Sequence, residues 1–532
     1  MSPNTIRLFA IPRLLPVMLV AAALLPTGTA YAAAPGISDG NAFTLTARPN
    51  YITQPDGAMV YSWGYGCTTA GTGHTFAPAA PMSGQTCPDM QVPGPTLVVT
   101  QGVTFTVTLA NGLPAAAGNT SILFPGLRLV SVAGGTPGLL TQEATAASAV
   151  TYTLVADSPG TRAYYSGTQG DLQVEMGLYG SVIALPATAA TGCPHHNPSA
   201  EAATEPDFRL GSSAYSITDS CYDREYLFQF SEVDPQIHQQ ASDQLAAINA
   251  CVTAAAANCA TTLDVATEPY HPAYFMINGR SMPDDMDPNY AQQYPHQPYN
   301  GNPHMHPGEL VLLRIVGTGR WQHPFHEHGN HVRILARDGN LILTPDTTRL
   351  AGPLLFTTTT TPGLAMDGIF YWTGKGLNWD IYGHHATADN HANPACAPDA
   401  NGYYTSLSGA ADSAPNYYEW CQDHDKALEK APFGDVGGGG PVTLPDANIL
   451  TNGAWYGGSA YLGPDATTRA TGPNGTTPPS GTIANPPGSE AGLAFMWHSH
   501  NEREITTNNI FPGGMMMMML VDPRAYPIDD SK

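Results

Sequence analysis

Charge is scarce in this chain. Only 12% of the 532 residues are Asp, Glu, Lys or Arg, lysine occurs just four times, and the net charge is −23. An acidic surface of this kind repels nucleic acid and anionic membranes. It attracts cations, metal ions included, although an acid excess also serves simply to solvate an exported protein. No apolar run reaches the roughly 20 residues of a transmembrane helix, so no membrane span is expected. There is no CxxC pair, no phosphate-cradling glycine loop, no nucleotide fingerprint and no Ser-His-Asp signature. These absences leave a short list of chemistries.

The chain begins with Arg7 and Arg13, a short apolar run from Leu14 to Leu25, and the small-x-small triplet Ala30-Tyr31-Ala32. That order is a secretory signal peptide over 1–32, without a twin-arginine pair, and it predicts export to a periplasmic or extracellular space. Eight cysteines fit an oxidising compartment: Cys67, Cys87, Cys193, Cys221, Cys251, Cys259, Cys396 and Cys421. They fall into sequence-local pairs and read as disulfides, though spacing alone leaves the connectivity open.

What abounds is Gly (55) and Pro (48). Between these turn-formers lie short alternating runs, among them 96–100, 103–109, 151–155 and 180–185. Period-2 alternation with regular turns predicts an all-β sandwich, with a first domain over 41–190. Residues 191–222 read as a linker or sheet edge pinned by a disulfide. A second domain over 223–525 carries strands at 226–230, 274–279, 310–316, 331–336, 494–497 and 515–521. A helix is expected from Ser242 to Ala257, where Ala, Leu and Ile recur at helical spacing. Residues 376–490 lose the strand periodicity and read as a loop-rich insertion holding Cys396 and Cys421, or as a degenerate third domain.

Two segments carry chemistry: His323-Pro-Phe-His-Glu-His-Gly-Asn-His331 and Trp497-His-Ser-His-Asn-Glu-Arg-Glu504. On a strand, residues i and i+2 share a face. His326 and His328 therefore point together, as do His498 and His500. If the strands are neighbours, four imidazoles converge, and imidazole suits copper, zinc, iron and nickel. The plain alternative is four solvated or hydrogen-bonded histidines. Glu327 should face the other way. Glu502, Arg503 and Glu504 are either groups that orient the imidazoles or a solvated ion cluster. His304-Met-His306 is either a weaker copper site or a polar turn. His384, His385 and His391 are surface-loop histidines or a flexible second site. The Met515–Met519 run reads as core filling, with Met515 a weak candidate for the metal.

HPFHEHG and WHSH…GGM resemble the C-terminal copper motifs of the multicopper oxidases, HPxHLHG and HCHxxxH…GM. Val92-Pro-Gly-Pro-Thr96 resembles an early turn of that family. Gly160 to Gly180 resembles its GTxWYHSH…GLYG segment, and Tyr274–Pro283 the opening of a later domain. The resemblance implies tandem cupredoxin-like Greek-key β-sandwich domains, copper as cofactor, and a small-molecule electron donor and oxygen as partners. It also implies losses. Leu123-Phe-Pro-Gly126 and Tyr165-Ser-Gly167 stand where the first-domain histidine motifs belong. Ser499 stands for the blue-copper cysteine and Glu504 for the histidine after it; His323 matches the remaining blue-copper histidine. What survives is His326, His328, His498 and His500. Three readings follow: a copper-dependent oxidoreductase with a mono- or binuclear histidine site, a non-catalytic copper carrier, or a structural protein with a vestigial site.

Overall fold

The computed structural model describes residues 34–67, 74–77, 84–191, 193, 213–306, 309–347, 349–372, 492–522 and 527–529, and the backbone of short strands at 458–461, 467–468 and 483–484. The signal segment 1–32 and the expected loop histidines and cysteines of the insertion lie outside these residues.

Two β-sandwiches form in succession. In the first, one sheet runs Gly160–Tyr165, Tyr179–Leu185, Leu97–Thr100, Gly36–Ile37, Phe76–Ala77 in hydrogen-bonded order. The facing sheet runs Met59–Cys67, Ala42–Thr53, Thr104–Asn111, Ala149–Val155, Arg128–Gly134. Both mix parallel and antiparallel ladders. The expected alternation is visible along Thr104–Asn111, where Phe105, Val107 and Leu109 turn inward and the threonines between them do not. Burying each such side chain stabilises the fold by about 1.5–3 kcal/mol. The strand at Gly36–Ile37 brings the first domain's edge slightly before residue 41.

The second sandwich packs the sheet Tyr274–Ile277, Arg224–Val233, Leu310–Gly317, Ala365–Tyr371, Val332–Arg337, Asn340–Leu341 against a second sheet. That second sheet runs His304–Met305, Met516–Val521, Gly492–Ser499, His323–Glu327, Thr357–Thr360. Its core gathers Phe228, Phe230, Phe325, Phe370, Trp497, Met515, Met517 and Met519. Alternate methionines of the terminal run thus fill the core. Within 376–490, the strand Gly458–Tyr461 pairs with Gly492–Ser499, so that stretch is not loop throughout.

The helix departs from its expected bounds. It spans Pro235–Thr253. Asp234 caps it by accepting from the Gln236 amide, and Pro235 takes the first turn, where a missing N–H costs nothing. Ile237, Ala241 and Leu245 form its buried stripe, and the first two join the first domain's core. It stops before Ala257 because Ala255 turns left-handed at φ 50°. Disulfides join Cys67–Cys87, Cys193–Cys221 and Cys251–Cys259.

The sandwiches are bonded to each other through buried groups. Ile52, Val60 and Tyr179 of the first pack with Val233, Tyr274 and Met276 of the second. Asp367 accepts from Thr161 Oγ1 at 2.6 Å, the Thr161 amide at 3.1 Å and Tyr215 Oη at 2.5 Å. Arg314 reaches Asp367 at 3.3 Å and also pairs with Glu225. Gly160, at φ 110°, lies so close to this knot that any side chain there would strike it. Tyr215 and the Cys193–Cys221 bridge show that the end of the expected linker is packed structure.

Candidate metal centre

The site is made by two adjacent antiparallel strands. In their register Phe325 faces Ser499, His326 faces His498, and Glu327 faces Trp497. Alternation does the rest. Phe325 and Trp497 enter the core, with ring centroids 6.1 Å apart, and the histidines go to the other face.

His326, His328 and His498 offer ring nitrogens that all lie within 4.8 Å of one another. His500 stands beside them, its ring centroid 4.8 Å from His326 and 5.5 Å from His498. His326 and His498 are buried, His328 is half-buried and His500 is exposed, so the group opens on one side. The four histidines singled out in the sequence are therefore brought together.

Their surroundings suit a cation. Burial holds the His326 imidazole down, to about 4, against a raising main-chain contact at Phe356. Burial lowers His498 as well. Both rings are neutral near pH 7, which keeps a lone pair for a metal. His498 Nδ1 donates to the Ser499 carbonyl at 2.7 Å, which leaves Nε2 as the lone-pair nitrogen. That atom lies 3.3 Å from His328 Nε2. Two ligands on a tetrahedral metal with bonds of about 2.0–2.1 Å are spaced by about 3.3 Å, so the pair fits one ion. His326 Nδ1 lies 2.8 Å from Thr357 Oγ1. Trp497 Nε1 donates to the His328 carbonyl at 2.9 Å, tying the ligand segment to the core.

Residues 79–188 match the family model for multicopper oxidases. That match spans 110 of the 532 residues, so the similarity to the family lies in the first sandwich. No curated protein sequence matches it. Among solved structures, the multicopper oxidase mgLAC is 15% identical, with a TM-score of 0.43 over 92% of this chain and 88% of its own. The blue copper oxidase from Nitrosomonas europaea is 13% identical, with a TM-score of 0.43 over 90% of this chain and 85% of its own. A copper nitrite reductase from Nitrosomonas europaea is 16% identical, with a TM-score of 0.37 over 63% of this chain and 86% of its own. Similarities this remote say nothing about the chemistry of this chain.

The other candidates are placed elsewhere. His323 does not join the imidazoles. It lies on the core side of its strand, fully buried, with Nδ1 2.9 Å from Glu504 Oε2 and Nε2 3.0 Å from Glu232 Oε2. Both nitrogens are committed, so as placed it cannot ligate. Burial alone would lower its basicity, but hydrogen bonds to the two carboxylates outweigh this and raise it to about 9. Met515 sends its side chain into the core. The positions that the resemblance assigns to blue copper do meet: Ser499 Oγ donates to Glu504 Oε2 at 2.5 Å, and Met515 exchanges main-chain bonds with Ser499 and Glu504. They meet as an ion cluster.

Glu327 faces away from the imidazoles, as alternation requires. It is buried, accepts from Thr358 Oγ1 at 2.9 Å, and burial pushes its carboxyl up to about 8. Of the trio after His500, only Glu504 is buried. His304 and His306 are buried away from the group, with His304 Nδ1 2.6 Å from Asp522 Oδ2. Leu123 and Tyr165–Gly167 line a cavity of about 350 Å³ between the domains, together with 317–320 and 362–363.

Sequence reading missed Thr357 and Glu232. Thr357 opens a run of five threonines, a β-branched strand signal that went unused. Glu232 is the one charged residue in the run 226–233, where Tyr, Leu, Phe and Val predominate, and such an acid needs a buried partner.

Proposed function

We propose that this chain is an exported copper-binding protein that works as a copper-dependent oxidoreductase through one reduced, histidine-ligated site. The observation that carries the reading is the convergence of His326, His328, His498 and His500 from two paired strands. His326, His328 and His498 would hold the ion, and His500, on the open side, would complete the set or leave a position for a ligand. Bound copper supplies one-electron redox chemistry. The protein's own part is to keep the His326 and His498 rings neutral, to fix the His498 tautomer through the Ser499 carbonyl, and to shield those two rings from bulk water.

A second reading, copper sequestration or delivery without turnover, is favoured by the first domain. Leu123 and Tyr165–Gly167 leave it no imidazole with which to complete a larger cluster. The export part of the reading is supported by the Arg7-to-Ala32 sequence pattern and by the three disulfides.

The test is copper content of the mature protein after loading and desalting, beside the H326A/H500A double variant. Stoichiometric copper in the wild type and loss in the variant is the expected result. No copper in either overturns the reading. The loaded protein should lack an intense blue band, since Ser499 offers no thiolate. Turnover of copper-loaded protein with an electron donor and oxygen separates the oxidoreductase from the carrier.

A further inference from the structure

We infer that Glu232, His323 and Glu504 form a positioning triad that fixes the main chain between His498 and His500. The inference takes its purpose from the copper-site reading above, but its geometry stands apart from any metal.

The connection is continuous. Glu232 is anchored by the main-chain amides of Arg320 and Trp321, at 2.7 and 2.8 Å, onto one carboxylate oxygen. Its other oxygen takes His323 Nε2. Gly319 leaves room for that carboxylate, since a Cβ there would come within 2.5 Å of it. On the far side of the ring, Nδ1 meets Glu504 Oε2. With a carboxylate oxygen on each nitrogen, both nitrogens donate, and the ring is a cation held between two anions. Tyr270 Oη adds a bond from Glu232 towards Glu175 of the first domain, at 3.2 and 2.7 Å.

Glu504 then holds the segment that carries the ligands. Its Oε2 accepts from Ser499 Oγ, and its Oε1 accepts from Asn501 Nδ2 at 2.8 Å. The Asn501 amide returns to Ser499 Oγ at 3.2 Å, which closes a small ring of bonds around residue 499. Ser499 lies between two candidate ligands, and its carbonyl receives His498 Nδ1. Turning that peptide would remove the acceptor that sets the His498 tautomer and would swing His500 away from His326. The positions that the resemblance gives to blue copper thus hold an internal cation in place of a metal, and its task is to aim the neighbouring imidazoles. Groups that orient a metal's histidines commonly account for 10–100-fold in affinity.

The experiment uses full-length mature protein labelled at histidine nitrogen. NMR of the metal-free protein reads the His498 ring, and titration with copper reads affinity. The wild type should show His498 as a single Nδ1–H tautomer. H323A and E504A should show mixed tautomers and copper affinity lower by about 10–100-fold. E504Q, which keeps an oxygen for Ser499 and His323, should restore the tautomer. If H323A and E504A do not fold, S499A carries the test, because it removes only the hydroxyl and should also give mixed tautomers. An unchanged His498 ring in folded H323A, or in S499A, overturns the triad. A wild type that binds no copper sinks the copper-site reading, while the metal-free ring signal still decides the triad.

Discussion

Replacing Asp367 by alanine should cost this protein about 4–6 kcal/mol, because it strands three buried donors and takes from a buried arginine one of its two carboxylate partners. The donors are the Thr161 amide, Thr161 Oγ1 and Tyr215 Oη, all within 3.1 Å of the carboxylate. Each buried donor left without a partner costs about 1–3 kcal/mol. Arg314 keeps Glu225, so the full penalty of about 3–5 kcal/mol for a broken buried pair applies only in part. D367N keeps the shape and one acceptor but turns an amide N–H₂ towards donors, and it should lose about half as much. Urea unfolding with disulfides oxidised is the assay, followed by tryptophan fluorescence from Trp63 in the first sandwich and Trp497 in the second. Since Thr161 and Asp367 belong to different sandwiches, D367A should also split a joint transition into two, each fitted separately. A D367A midpoint equivalent to less than about 1 kcal/mol of loss would refute the reasoning, because it would mean the donors found other partners without cost.

The stability contributed by His323 should depend on pH. Its folded value, about 9, lies above its ordinary 6.5. The contribution is therefore full below pH 6.5 and lost as pH rises through 9. The gap in urea midpoint between wild type and H323Q should shrink from pH 6 to pH 10, and a constant gap would contradict it. W497F removes the indole bond to the His328 carbonyl and should cost about 2–4 kcal/mol by thermal unfolding, with weaker copper binding at 25 °C. C251S/C259S opens a loop with a separation of 8 and should cost about 2–3 kcal/mol. Hydrogen exchange should localise that loss to the last turns of the helix Pro235–Thr253.

Strand identity was legible because the signal is local. Alternation along Thr104–Asn111 and the i, i+2 spacing of the histidines are set by the pleat, which every strand obeys. Strand neighbours were not legible in the same way. The pairing of His326 with His498 joins residues far apart in the chain, and it was reached only as a condition. The helix start was missed because attention went to its alanine-rich half, although Asp234-Pro235 is a local cap signal. The fate of His323 needed three dimensions, since its partners Glu232 and Glu504 come from distant segments. A motif match could say which side chain had replaced which, but not that the replacements would bond to one another.

The histidines share strands with Phe325 and Trp497 but look the opposite way. The register that aims them is thus enforced by the apolar interior, which tolerates no one-residue slip. Ligands carried on the outer side of such strands can be gained or lost singly, with the sandwich indifferent to the exchange. That separation agrees with a first domain that keeps its architecture with Leu123 and Tyr165 at the positions where the resemblance would place imidazoles. Evolution, or a protein engineer, could restore or erase a metal ligand here at little risk to the scaffold.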